Sequence, residues 1–331
     1  MADETGVLVV GEIRAGELDS TTRELLSIGR KLADGVARPL AVVLLGVNLE
    51  NPSREAIACG AGKVFLAEHS LLAEGELDAA VVALEQVCRQ VRLDIVLIAR
   101  TEAGRELGPR LAFRLGVGLA QDAVALGVDE STKRLLVTRP VYGGNAMAVV
   151  TLPSAPQIAT VRPKVFEAAG KDPGLRGEVV GMAVEIPDSV RKVRVLQKVT
   201  EQGAGTKLDS ARVVVAGGRG LGGPESFKEL EELARVLGGA VGASRPACDA
   251  GWIDHGRQVG LTGKIVTPDL YIAVAISGAS QHMAGCSGAK LIVAINSDPE
   301  ASIFKEAHYG AVGDWRKVLP AFTETVRQLL I

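Results

Sequence analysis

The chain has 331 residues, of which 47% are hydrophobic and 23% charged, so it is long enough for two domains and its composition excludes a disordered protein. The 37 Lys and Arg residues against 39 Asp and Glu give a net charge of −2, and no basic excess favours nucleic acid or an anionic membrane as a partner. The four cysteines are far apart and form no Cys-x-x-Cys pair or Cys/His cluster, so neither a metal site nor a disulfide framework is indicated.

The first half of the chain alternates short apolar runs with longer amphipathic stretches. This alternation predicts a parallel sheet with helices on both faces. The predicted strands are Val7–Val10, Leu40–Leu45, Lys63–Ala67 and Asp94–Ala99, and the predicted helices are Ser20–Ala33, Pro52–Cys59, Leu77–Val91 and Gly104–Leu115.

From Val117 to about Val165 the pattern changes to short β-rich runs separated by Gly, Asn and Pro turns. Such spacing predicts an antiparallel extension of the same domain. The runs are Ala123–Val128, Arg134–Thr138, Ala146–Thr151 and Gln157–Val161.

A charged, glycine-rich stretch then marks a domain boundary. We predict an N-terminal α/β domain over residues 1–195, a linker over 196–208 and a second domain over 209–331. In the second domain the alternation restarts, which predicts a smaller doubly wound α/β unit. Its predicted strands are Ala211–Ala216, Ala240–Ala243, Leu270–Ile276 and Lys290–Ile295, with helices at Glu225–Leu237 and within Trp315–Leu330.

Glycine is concentrated in this second domain, and 15 of the 39 glycines lie between Ala216 and Ala289. The densest cluster, Gly217–Gly223, separates a predicted strand from a predicted helix, a position where backbone N–H groups favour phosphate. It is neither a G-x-G-x-x-G fingerprint nor a Walker loop. Nucleotide binding and a tight structural turn both remain open for this cluster.

Four further polar or glycine-rich clusters follow predicted strands of the same domain. They are Gly242–Pro246, Gln258–Lys264, Ser277–His282 and Asn296–Glu300. Each is weak evidence alone, but parallel strands bring their carboxyl ends to one edge, which predicts a single extended nucleotide site. Hydrolysis by a Ser/His/Asp arrangement is not indicated, because no G-x-S-x-G elbow is present.

These motifs, in this order, resemble the alpha subunit of electron transfer flavoproteins, the family that includes the FixB-type proteins. The resemblance spans the second domain and includes Thr160-Val161-Arg162-Pro163 near the end of the first. It implies a Rossmann-like domain that binds FAD. The motifs are Gly217-Gly218-Arg219-Gly220, Val241-Gly242-Ala243-Ser244-Arg245, Gln258-Val259-Gly260, Thr262-Gly263-Lys264, Ser277-Gly278-Ala279, Gln281-His282 and Ala294-Ile295-Asn296.

The resemblance also implies which residues bind the cofactor. In that family the Ser-Arg pair and the Thr lie near the flavin ring, the His near its pyrimidine carbonyl, and the Asn and Asp toward the adenosine end. Arg245 and His282 are then candidates for tuning the redox potential by positive charge. Leu261 departs from the family, which usually has Gln there, so a side-chain hydrogen bond is lost while the backbone could still bind. The implied residues are Arg219, Ser244, Arg245, Gln258, Val259, Gly260, Leu261, Thr262, Ser277, Gly278, Ala279, Ser280, Gln281, His282, Asn296 and Asp314.

The implied function is electron transport rather than stand-alone catalysis. The family members form a heterodimer with a β subunit, accept electrons from flavin dehydrogenases such as those of fatty acid β-oxidation, and pass them to a quinone oxidoreductase or similar acceptor. An electron-bifurcating complex that accepts electrons from NADH is an alternative within the family. A nicotinamide-dependent dehydrogenase and a non-redox nucleotide-binding regulator are alternatives from other classes.

The N-terminus is acidic and lacks an apolar signal core, so a cytoplasmic location is expected. Two uncharged runs, Pro140–Val161 and Leu270–Ala289, are long enough to cross a bilayer. The first contains three prolines and the second has polar breaks, so no membrane insertion is predicted.

Overall fold

The computed structural model describes residues 6–73, 75–144, 146–193, 208 and 211–329. These residues form two compact units, one built from residues 6–142 and 146–193 and one that contains residues 208 and 211–329. The linker predicted over 196–208 lies outside the described residues except for Leu208. That residue is 2% exposed and packs in the hydrophobic core of the second unit.

The first unit is built on a parallel sheet of seven strands in the order β12-β5-β4-β1-β6-β11-β7. Its strands are β1 (Val7–Gly11), β4 (Leu40–Gly46), β5 (Lys63–Glu68), β6 (Ile95–Ala99), β7 (Leu119–Ala123), β11 (Gln157–Val161) and β12 (Glu178–Gly181), with the short pair β2 (Ile13–Arg14) and β3 (Glu17–Leu18). Its helices are α1 (Ser20–Val36), α2 (Glu50–Ala58), α3 (Leu77–Gln90) and α4 (Glu102–Leu115).

Helices cover both faces of this sheet because its strands are apolar on both sides. Along β1, Val7 and Val9 pack in one hydrophobic cluster and Leu8 and Val10 in the other. Helix α1 begins where the Asp19 carboxylate accepts a hydrogen bond from the Thr21 N–H at 2.9 Å. The predicted strands and helices of this half are present, with ends shifted by one to three residues.

The region predicted as an antiparallel extension is divided between two sheets. Strands β8 (Ala125–Val128), β9 (Leu135–Val141) and β10 (Ala146–Val150) form a separate antiparallel sheet in the order β10-β9-β8. The prediction is wrong for β11, which lies in the main sheet and pairs in parallel with β6 and β7. Its five residues are all buried, as expected for an inner parallel strand.

The second unit is a parallel sheet of five strands in the order β14-β13-β15-β16-β17. The predicted fold class, two doubly wound α/β domains, is therefore confirmed. The strands are β13 (Val213–Gly217), β14 (Ala240–Ala243), β15 (Leu270–Val274), β16 (Leu291–Asn296) and β17 (Tyr309–Val312). The helices are α5 (Phe227–Val236), α6 (Arg245–Asp249), α7 (Ser280–Met283), α8 (Ile303–Glu306) and α9 (Trp315–Leu329).

Two hydrophobic clusters stabilise this unit, one on each face of the sheet. Helices α5 and α9 pack on the same face, where Leu230, Leu233 and Leu319 are fully buried. Trp315 and the partly buried Trp252 belong to this cluster. In the parts of the chain that the structure describes, no helix is both long and apolar enough to cross a membrane.

Candidate functional site

A cleft of about 720 Å³ lies at the carboxyl ends of strands β13, β14, β15 and β16. The loops that follow these strands form its walls, which is the usual ligand position in an open parallel sheet. Most of the residues predicted from the sequence line it. They are Arg219, Ser244, Arg245, Gln258, Val259, Gly260, Leu261, Thr262, Ser277, Ala279, Gln281, His282 and Asn296.

Three predicted residues do not line the cleft. Gly278 is buried behind it with φ +84°, and a Cβ there would meet the backbone of Ile303. Ser280 is the first residue of α7. Asp314 lies beside α9, where its carboxylate accepts a hydrogen bond from the Arg316 N–H at 3.0 Å. The structure therefore gives Gly278 and Asp314 local structural roles.

Several lining residues were not predicted individually. They lie within five residues of a strand end or next to a predicted residue, so position after a strand was the available signal. Their side chains are small or apolar, or, for Asp298, were interpreted as the start of a helix. They are Gly218, Gly220, Pro246, Ala275, Ile276, Asp298 and Ala301.

The loop after β13 approaches the end of β15 closely. The Gly218 N–H donates to the Val274 carbonyl at 2.9 Å, and a Cβ on Gly218 would collide with the Ala275 carbonyl. Only glycine fits this position. The approach leads the chain into the turn Arg219–Leu221, from which the exposed Arg219 side chain reaches the cleft.

The loop after β14 places a buried hydroxyl beside an exposed guanidinium. Ser244 is 6% exposed, and its N–H donates to the Gly217 carbonyl at 2.9 Å. Arg245 begins α6 and forms an ion pair with Asp249 at 3.3 Å, with its side chain 64% exposed. Because an exposed ion pair is weak, Arg245 can turn toward a bound anion at low cost.

The segment Gln258–Lys264 is a tight loop held by its own hydrogen bonds. The Gln258 Nε2 donates to the Thr262 hydroxyl at 3.0 Å, and the Gln258 carbonyl accepts from the Lys264 N–H at 2.8 Å. The buried Gln258 therefore shapes the loop and orients the exposed Thr262.

Leu261 joins this loop to the one that contains His282. Its N–H donates to the Gln281 carbonyl at 2.7 Å. This peptide N–H is therefore engaged within the protein, and the prediction that the Leu261 backbone could bind the cofactor is narrowed to its carbonyl. Gly285 packs so closely on the Gly260 backbone that a Cβ would collide with it.

His282 is buried, at 7% exposure, in the wall of the cleft. Its Nε2 lies 2.9 Å from the Tyr271 hydroxyl. Burial lowers the pKa of His282 to about 4, and a weaker hydrogen bond with the Val259 backbone acts in the opposite direction. His282 is therefore neutral near pH 7 in this structure, which favours a role as an uncharged hydrogen-bonding group over the predicted role as a source of positive charge.

Asn296 links the loops after β15 and β16. Its Nδ2 donates to the Ile276 carbonyl at 2.9 Å, and its Oδ1 accepts from the Asp298 N–H at 3.0 Å. Ala275 precedes this point with φ +54°, an uncommon conformation for alanine. The amide of Asn296 thus fixes the edge of the cleft and leaves one N–H for another partner.

The donor set and size of the cleft fit a flavin nucleotide. The volume of about 720 Å³ lies within the range of small-molecule sites. The Arg219 and Arg245 guanidiniums suit an anionic ligand, and the buried His282 Nδ1 has no hydrogen-bond partner among the described residues. No group of His, Cys, Asp and Glu able to hold a metal ion occurs in the described ranges.

Fold and site together define a two-domain α/β protein whose second domain carries a nucleotide-type cleft. Comparison with protein families identifies the electron transfer flavoprotein domain over residues 7–187 and the electron transfer flavoprotein FAD-binding domain over residues 207–287. The chain belongs to the alpha-subunit family of electron transfer flavoproteins. Membership implies a flavin and a β-subunit partner.

Relatives of nearly equal length support this assignment. The chain is 42% identical to the electron transfer flavoprotein subunit alpha of Thermoanaerobacterium thermosaccharolyticum, over 99% of this chain and 100% of the relative. It is 44% identical to the subunit of the same name in Bacillus subtilis, over 98% of both chains. It is 40% identical to Protein FixB of Clostridium saccharobutylicum, over 100% of this chain and 98% of the relative.

Proposed function

We propose that this chain binds FAD in the cleft of its second unit and, paired with a β subunit, carries electrons between flavoproteins in the cytoplasm. Electrons arrive from flavin dehydrogenases such as acyl-CoA dehydrogenases and leave to a quinone oxidoreductase or similar acceptor. One observation carries the proposal. The loops that follow four parallel strands line one cleft, and this cleft lies in the domain that matches the FAD-binding family.

FAD supplies the redox chemistry when it is bound, and the chain supplies binding and electrostatics. Arg245 is the group that offsets negative charge on the reduced ring, because its guanidinium is exposed and its ion pair with the exposed Asp249 is weak. Ser244 and Thr262 are hydroxyl partners on two adjoining loops, and Arg219 is a partner for an anionic part of the cofactor. Asn296 has one free amide N–H for the same ligand.

The domain organisation belongs to the same proposal. We assign contact with the β subunit to the N-terminal domain over residues 1–195, treat residues 196–208 as the linker, and assign the cofactor to residues 209–331. Support comes from the separate hydrophobic cores of the two units. The linker assignment rests on the polar, glycine-containing sequence of this segment.

The test of cofactor identity uses this chain co-expressed with its β subunit. We expect a yellow complex that releases about one FAD per alpha chain on denaturation, beyond any nucleotide held by the β subunit. The matched variant is Arg219→Ala with Arg245→Ala, which should lower FAD retention without loss of the β subunit. A colourless complex that retains only ATP or a nicotinamide nucleotide would overturn the proposal in favour of a regulator or a dehydrogenase.

The test of electron transfer follows the flavin spectrum. A reduced acyl-CoA dehydrogenase should bleach the flavin of the complex, and a quinone oxidoreductase should restore it. NADH alone should leave it oxidised. Direct reduction by NADH would instead support the electron-bifurcating alternative.

A further inference from the structure

Tyr271 is a fully buried polar side chain that the proposed cofactor contacts do not involve. It lies on strand β15, at 0% exposure, and its hydroxyl is 2.9 Å from His282 Nε2. The two rings are tilted by 54° with centroids 6.1 Å apart. This pair connects the core of the sheet to the wall of the cleft.

The direction of the hydrogen bond follows from the neighbouring groups. The Cys286 thiol donates toward the His282 carbonyl at 3.7 Å, so its hydrogen is engaged elsewhere, and sulfur is a weak acceptor. Burial raises the pKa of Tyr271 well above its ordinary value, so the phenol keeps its proton. Nε2 of the imidazole is the better acceptor, and the phenol O–H therefore donates to it.

A neutral imidazole carries one hydrogen, and accepting at Nε2 places that hydrogen on Nδ1. The Nδ1 atom is buried and makes no hydrogen bond of normal geometry within the described part of the chain, and the Val259 backbone acts on the ring only weakly. Buried donors without a partner are rare in native proteins, and His282 lines the cleft. A ligand atom is the partner that such a donor lacks.

We infer that Tyr271 is a positioning residue that holds His282 in the tautomer with hydrogen on Nδ1. In this tautomer the neutral ring can donate one hydrogen bond, from Nδ1, to an acceptor atom of the bound cofactor. The tautomer follows from the contacts of Tyr271 and does not require the cofactor, and the weaker hydrogen bond of the Val259 backbone acts on the same ring. The identity of the acceptor rests on the proposed function, in which it belongs to FAD.

The first experiment reads the tautomer directly. The complex with the β subunit is labelled with ¹⁵N-histidine, and the His282 imidazole signals are identified by their loss in His282→Gln. We expect the ¹⁵N shifts of a single Nδ1–H tautomer, and a shift toward Nε2–H or a mixture in Tyr271→Phe, which keeps the ring and removes the hydroxyl. The control is Tyr309→Phe, because Tyr309 is exposed on edge strand β17.

An Nε2–H tautomer in the wild-type complex, or the same tautomer in Tyr271→Phe, would overturn the inference. If Tyr271→Phe does not fold, the wild-type spectrum decides. A complex without FAD but with His282 as Nδ1–H would refute the proposed function and leave the positioning role intact, so the two failures are distinguishable.

The second measurement tests whether the donor faces the cofactor. The dissociation constant of FAD should rise roughly three- to tenfold in Tyr271→Phe, the size expected for one hydrogen bond. Tyr309→Phe should leave it unchanged, because Tyr309 is exposed on edge strand β17 and does not line the cleft. An unchanged dissociation constant in Tyr271→Phe would refute the ligand-facing part of the inference.

Discussion

Arg245 and His282 both line the cleft, but they differ in burial and therefore in charge. Arg245 has a largely exposed side chain and stays charged, whereas His282 is buried and its pKa falls to about 4. Sequence position alone could not separate the two, because both follow strands of one sheet. Burial, which depends on the packing of α7 and β15, therefore favours Arg245 over His282 as the proposed source of positive charge.

The role of Arg245 gives the first prediction. Arg245→Ala should lower the flavin potential by about 30–60 mV, a few-fold to tenfold change in the one-electron equilibrium, because a fixed positive charge beside the reduced ring is lost. Spectroelectrochemical titration of the complex measures it. Arg235→Ala is the control, since Arg235 is exposed on α5 and does not line the cleft. Equal potentials for Arg245→Ala and wild type would exclude this role.

Glu24 is a buried carboxylate in the first unit, and its burial should make the stability of the protein depend on pH. It is 8% exposed and accepts a hydrogen bond from the Lys164 N–H at 2.6 Å. Burial raises the pKa of Glu24 to about 7, although the Lys164 hydrogen bond opposes the rise. The folded state thus holds a proton that the unfolded chain releases near pH 4.5, so stability falls as pH rises from about 4.5 to about 7.

Glu24→Gln should therefore stabilise the protein at pH 8 and have little effect at pH 4.5. Glutamine keeps an oxygen for the Lys164 N–H and removes the buried charge. The gain should be on the order of 3 kcal/mol, because the pKa of Glu24 rises from 4.5 to about 7 and each tenfold change in proton affinity corresponds to about 1.36 kcal/mol. Denaturant unfolding across this pH range measures it, with the exposed Glu17→Gln as control. Parallel pH profiles for Glu24→Gln and wild type would contradict the argument.

At the scale of the elements, the loop between β15 and α7 depends on a glycine that lies behind the cleft. Gly278 has φ +84°, and its missing Cβ leaves room for the Ile303 backbone. The neighbouring Ser277 carbonyl accepts a hydrogen bond from the Ile303 N–H at 2.9 Å. A side chain at 278 would push this loop toward the cofactor site.

Gly278→Ala should reduce FAD retention and cost more stability than a comparable change elsewhere. Gly251→Ala is the matched control, because Gly251 has φ +71° but open space around its Cβ position. Backbone strain alone should cost about 1–2 kcal/mol in both variants. Thermal unfolding and the FAD-to-protein ratio measure the two effects. Equal losses in both variants would show that the contact with Ile303 is unimportant.

Elements with a strong apolar pattern could be predicted from the sequence, and weakly patterned ones could not. Strands such as β1 and β4 are continuous apolar runs and match their predictions closely. Strands β12 and β17 were missed because they lie at sheet edges and are mostly exposed, so no apolar run marks them. The partners of β11 are long-range and leave no local signal in the sequence.

For the site, the sequence predicted which loops meet and missed how they are held. Topology alone brings strand-end loops together, which accounts for the predicted residues in the cleft. The bond from Leu261 to the Gln281 carbonyl and the bond between Tyr271 and His282 join residues 20 and 11 positions apart in different elements. Such contacts depend on tertiary packing, for which no short motif exists.

The two units have separate hydrophobic cores, so we expect bound FAD to stabilise only the unit that holds it. At 100 times its dissociation constant, FAD should stabilise the second unit by about 2.7 kcal/mol. Hydrogen exchange of the complex should then slow by about 100-fold in β13 and β15 and stay unchanged in β1 and β6. Leu97→Ala, which opens the fully buried core around β6, should speed exchange in the first unit only. Equal protection of both sheets by FAD would contradict this independence.

Both tryptophans of the chain, Trp252 and Trp315, lie in one core cluster of the second unit. The Arg316 guanidinium lies 4.9 Å from the Trp315 ring centroid. The sequence of the first unit contains no tryptophan, so the tryptophan fluorescence of this chain originates in the cofactor-binding unit. Emission and far-ultraviolet circular dichroism will therefore report different parts of the same chain, and a titration followed by indole emission is a selective optical assay of that unit.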